Sequence, residues 1–110
     1  MRDSFNYLKE LLRTNRLGDL CPDVQEGAIN LLRVQEEGDT SKLRNAVSQL
    51  HGEGSRKRKM LKLVDELKNN PQKFENIREE IAHELVEIMF DRFSRAEKLR
   101  AEIQELLRRE

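Results

Sequence analysis

The sequence predicts an all-α fold, a bundle of four short helices and one long C-terminal helix. Three observations carry that expectation. Apolar residues recur at three- and four-residue intervals, the period of a helix, and no stretch alternates for long as a strand would. Leu, Glu, Lys and Arg dominate, and all four are good helix formers. Gly, Pro and Asn punctuate the chain at spacings that leave helix-length segments between them.

The first segment runs from Asp3 or Ser4 to Asn15. Phe5, Leu8, Leu11 and Leu12 share a face, Asp3 or Ser4 is placed to cap the free amides, and Gly18 loosens the end. The second starts at Pro22, suited to a first turn because its missing N–H would be orphaned there. Val24, Ala28, Leu31 and Leu32 form its stripe, and Glu37-Gly38 ends it. Asp39 or Thr40 caps a third helix carrying Leu43, Ala46, Val47 and Leu50, which stops at His51-Gly52-Glu53-Gly54. Ser55 is the expected cap of a fourth, Arg56 to Lys68, with Met60, Leu61, Val64 and Leu67 on one face and Leu63 alongside. Asn69-Asn70-Pro71 closes it and opens the fifth, with Asn70 as cap and Pro71 in the first position.

The fifth segment, residues 71–110, contains no Gly and no internal Pro. As one helix it measures about 60 Å at 1.5 Å per residue, whereas a compact domain of this size has a radius of gyration of about 13 Å. Either it breaks near Asp91 to Ser94, or residues 94–110 project as a helical extension of a single domain spanning 1–110. With Ala82, Met89, Ala96 and Ile103 as a positions, the d positions are Leu85, Arg92, Leu99 and Leu106, and only Arg92 interrupts the seam. Phe90, Phe93 and Leu107 widen it. The expected core is Phe5, Leu8, Leu12, Leu31, Leu32, Leu43, Val47, Leu50, Leu61, Val64, Phe74, Ile77, Ile81 and Leu85.

Composition narrows the classes. Charged residues are 38% of the 110, hydrophobic residues 36% and aromatics 5%. The 21 Lys plus Arg equal the 21 Asp plus Glu, which argues against a chain that is cationic throughout but leaves room for a local basic face. The longest apolar run, Ile88 to Phe90, is far too short to cross a bilayer, and no basic leader followed by an apolar stretch opens the sequence. A single cysteine suits a reducing, cytoplasmic setting.

Arg56-Lys57-Arg58-Lys59, extended by Lys62, is the densest charge feature. Cations at a helix start oppose the helix dipole, so stability alone would place acids there. The functional reading is an anionic contact, nucleic-acid phosphate or an acidic protein surface. The alternative is a solvated face balanced by Glu36, Glu37, Asp39, Asp65 and Glu66. Glu80 and His83 have the Glu-x-x-His spacing of di-iron bundles, but His51, the other histidine, lacks it, so His83 is expected as a surface side chain among acids. Cys21 has no base placed by sequence beside it and is expected as a small buried residue. No phosphate loop or zinc spacing is present, so the chain is expected to have no catalytic residues, no metal site and no cofactor.

Asp39-Thr40-Ser41-Lys42-Leu43-Arg44-Asn45 follows one apolar helix and opens another. It resembles the entry helix of the small helical subunit of type III CRISPR effector complexes, where a Thr-Ser-x-Leu/Ile-Arg pattern begins a helix after a short turn. Thr40, Ser41, Leu43, Arg44 and Asn45 carry the match, within a stretch from Val24 to about Leu50. The family's later Lys-Pro-x-x-x-Tyr-type segment has no counterpart, and Phe90 and Phe93 stand nearest to its aromatic final helix. The resemblance implies a small subunit lining an RNA-guided complex, with Arg44, Arg56, Lys57, Arg58, Lys59 and Lys62 as nucleic-acid contacts.

The residues themselves point first to a non-catalytic interaction or scaffold subunit. It is expected to dock on a protein partner or self-associate through Leu85, Met89, Phe93, Ala96, Leu99, Ile103 and Leu106. The nucleic-acid-associated subunit is the alternative, and no membrane is expected.

Overall fold

The computed structural model describes residues 3–14, 21–37, 40–52 and 54–109, except for the side chains of residues 35–37 and 71. The described residues form helices α1 (Ser4–Arg13), α2 (Pro22–Glu37), α3 (Ser41–Ser48), α4 (Gly54–Asn69) and α5 (Phe74–Arg108), and no strand. A 3₁₀ turn, Pro71–Lys73, links α4 to α5. None of these helices is long and apolar enough to cross a membrane.

The amino-terminal half of α5 is the spine. Helices α1, α2 and α4 pack on it, and α3 closes the other side by bridging α2 and α4. Its period brings Ile77, Ile81, Leu85, Ile88 and Met89 inward, where they meet Phe5, Leu8, Val24, Leu31, Leu43, Val47, Leu50, Met60 and Val64. Gly27 lets α2 approach closely, because a Cβ there would lie 3.2 Å from Leu85 Cδ2. Most of the expected core is buried, but Leu12, Leu32, Leu61 and Phe74 only pack against its edge. Val34, Leu63, Leu67, Ala82 and Val86 join the core beyond expectation.

The helix starts differ from those expected. Asp3 makes no side-chain cap; the Glu79 carboxylate of α5 accepts the Ser4 N–H at 2.6 Å and the Phe5 N–H at 3.0 Å instead. Next to it, the Arg78 guanidinium lies 3.9 Å from the Phe5 ring centroid. Thr40 makes no side-chain cap, and Asp39 lies outside the described residues, as do Asn15, Gly18, Gly38 and Glu53. Ser55 lies inside α4, which begins one residue earlier at Gly54. Asn70 accepts the Lys73 N–H at 3.0 Å through its carbonyl, closing the 3₁₀ turn, so α5 starts at Phe74 rather than Pro71.

Of the two outcomes open for the last segment, the structure has the second. Helix α5 is unbroken through Asp91–Ser94 and continues past the bundle. The molecule is therefore 60 × 29 × 24 Å with a radius of gyration of 15.9 Å, against about 13 Å for a compact chain of this length.

Candidate functional site

The site begins where α5 leaves the bundle. Arg92, the residue that interrupts the apolar seam, turns its guanidinium to Asp23 at the start of α2. Its Nη1 donates to Asp23 Oδ1 at 2.7 Å and its Nη2 to Oδ2 at 2.8 Å. Nη2 also donates to the His51 carbonyl at 3.1 Å, and the His51 N–H donates to Asp23 Oδ2 at 3.1 Å. The Asp23 side chain is only 8% exposed, and a bidentate pair of this kind is both strong and directional. The guanidinium hydrogen bonds hold the Asp23 carboxyl far below the ordinary carboxylate range, and the carboxylate in turn raises Arg92. One charged pair thus ties α2, the α3–α4 loop and α5 together at the end of the bundle.

Beyond it, every described residue from Ser94 to Arg109 is exposed. Leu99 is 58%, Ile103 48%, Leu106 63% and Leu107 65% exposed. At about 100° per residue, Ala96, Leu99, Ile103 and Leu106 continue the same face that Ile81, Leu85, Ile88 and Met89 bury inside the bundle. The core stripe therefore runs out of the body onto a free helix. This divides the expected docking residues. Leu85 (0% exposed) and Met89 (2%) are sealed in the chain's own core and offer no surface. Phe93 packs at the core's edge, and Ala96, Leu99, Ile103 and Leu106 stand open, joined by Leu107. Leu85 and Met89 were grouped with the rest because one apolar period, interrupted only at Arg92, covers both halves of α5, and that period does not show where the neighbouring helices end.

The basic turn is divided too. Arg56 pairs with Glu84 at 3.3 Å and Asp91 at 2.9 Å, and Lys59 with Glu84 at 2.9 Å. Glu84 is 6% exposed, so its charge requires those cations; its hydrogen bond raises the Lys59 pKa. Arg44 pairs with Asp65 at 2.9 Å on the surface. Among the described residues, the acids paired with the cluster are Glu84 and Asp91 of α5; of the expected set, Asp65 pairs with Arg44 instead, and the side chains of Glu36, Glu37 and Asp39 lie outside the described residues. Glu84 and Asp91, seven residues apart, share a helix face, and that was the legible signal. Among the described residues, Lys57, Arg58 and Lys62 have no ion-pair partner within 4.0 Å.

His83 is exposed, 3.8 Å from Glu87. It borders a cavity of about 220 Å³ with Lys59, Glu79, Glu80 and Glu84. Two of those acids are already engaged, Glu79 by α1 and Glu84 by α4. No group of three His, Cys, Asp or Glu side chains converges as a metal site among the described residues. Cys21 is a free, buried thiol. No protein-family model, curated protein or solved structure matches the chain.

Proposed function

We propose that the chain is a non-catalytic interaction subunit that docks on a protein partner, or on another copy of itself, through α5 beyond Phe93. The observation that carries this reading is the exposed stripe of Ala96, Leu99, Ile103, Leu106 and Leu107 on a helix that the bundle does not cover. The fifteen helical residues beyond Phe93 are all exposed, and an isolated helix of that length is marginal in water, so an apolar stripe maintained along them calls for a second surface. Buried Cys21 fits a reducing, cytoplasmic setting for such a subunit. The nucleic-acid-associated reading ranks second, since it rests on Lys57, Arg58 and Lys62 once Arg56 and Lys59 are taken by acids of α5.

The test is a photo-reactive phenylalanine analogue placed in living cells at position 99, 103 or 106, with position 97 as control. Docking predicts covalent protein adducts from the three stripe positions and few from position 97. Absence of adducts at all of them would reject the proposal.

A further inference from the structure

We infer that the occupant of the stripe is a second copy of this chain, paired antiparallel along residues 94–109. The inference rests on the docking reading above and adds the partner and its direction.

Sterics exclude the parallel arrangement. Paired helices lie about 8–10 Å apart, and the stripe faces the same side on which α1, α2 and α4 pack on the first half of α5. Two copies running in the same direction would place two bodies, each more than 20 Å across, on one spot. Running in opposite directions, the bodies sit at opposite ends and the two extensions overlap freely.

Side-chain size then sets the register. In an antiparallel coil an a position meets a d position of the other strand. Centring the overlap on residue 101 places Ala96 against Leu106 of the second copy and Leu99 against its Ile103. The same register brings Leu107 of the second copy over Phe93, at the edge of the first copy's core. The five open apolar residues and Phe93 are then all used.

Charge fixes the direction independently. Arg95, Lys98, Glu102 and Glu105 lie on one flank of the stripe, and all four are exposed. The flank is basic in its first half and acidic in its second. Antiparallel pairing sets Arg95 by Glu105 of the second copy and Lys98 by its Glu102, twice over by symmetry. Parallel pairing turns this flank toward the opposite flank of the second copy, setting Arg95 by its Arg100 and Glu102 by its Leu107, with no opposite-charge pair. Among the described residues of one chain Glu105 reaches only Arg108 at 3.9 Å and Arg109 at 3.7 Å, both long surface contacts. Arg100 meets its own symmetry mate at the centre, where Glu97 of the second copy lies within one turn.

Light scattering across a concentration series tests this. The expected result is a mass rising from 13.0 kDa to twice that value. The double variant Arg95→Glu/Lys98→Glu makes the flank wholly acidic and should weaken association by at least about tenfold, since four exposed pairs per dimer become repulsive. Adding Glu102→Lys/Glu105→Lys to the same chain reverses the polarity and should restore it. Helicity by circular dichroism controls for folding. A wild-type chain that stays monomeric at high concentration overturns the inference, and so does failure of the fourfold variant to recover. If monomeric chain still gives adducts to another protein from position 103 in cells, the docking reading stands and only self-pairing falls.

Discussion

At the scale of single residues, Arg92 does the most to define the molecule. By pattern it is a defect in an apolar seam; by structure it is the last anchor before α5 leaves the bundle. Because Arg92 depresses the Asp23 pKa, the stabilisation is complete above the unfolded-state value of about 3.9. It is lost as pH falls below that value toward the folded one. Thermal unfolding should therefore show a constant contribution from this pair between pH 5 and 7 and a decline below about pH 4. Asp23→Asn should lower stability at pH 7 by about 2–3 kcal/mol, the range of charge-assisted hydrogen bonds, and flatten the acid decline. An unchanged acid slope in the variant would contradict the assignment.

At the scale of elements, the sequence was most legible where the signal is local. The existence of the five described helices follows from apolar period and punctuation, and the stripes of α2, α3 and α4 lie inward except for Leu32 and Leu61, which stay at the core's edge. What was not legible depends on partners distant in sequence. Asp3 and Ser4 looked like the cap of α1, yet Glu79, about seventy-five positions away, takes that role. No periodicity announces such a bond, because it exists only once α1 lies across α5. The basic turn is a second instance, since its meaning depends on Glu84 and Asp91 of another helix. The Glu79 contact has a simple consequence. Glu79→Ala removes the acceptor for two amides at the start of α1 and should cost about 1–2 kcal/mol, the scale of a lost cap. Hydrogen exchange should then accelerate at residues 4–8 while residues 77–89 keep their protection. Uniform acceleration of both would mean that α1 and the core open as one unit.

At the scale of the whole molecule, one helix has two surroundings. Its first half completes a small core, and its second half carries the same stripe into solvent. The arithmetic of length against domain size foresaw a break or a projection, and the structure has the projection. Where the core stops could not be read, because burial ends when neighbouring helices end and not when α5 changes character. The central claim is that the stripe past Phe93 contributes nothing to the fold of a lone chain and exists for another surface. Equilibrium urea unfolding of the triple variant Leu99→Gln/Ile103→Gln/Leu106→Gln, at concentrations where the chain is monomeric, tests it most directly. The account predicts a free energy of unfolding within about 0.5 kcal/mol of wild type, as for substitutions outside any packed region. A loss of several kcal/mol, on the scale of about 2–5 for each large aliphatic side chain removed from a core, would contradict it.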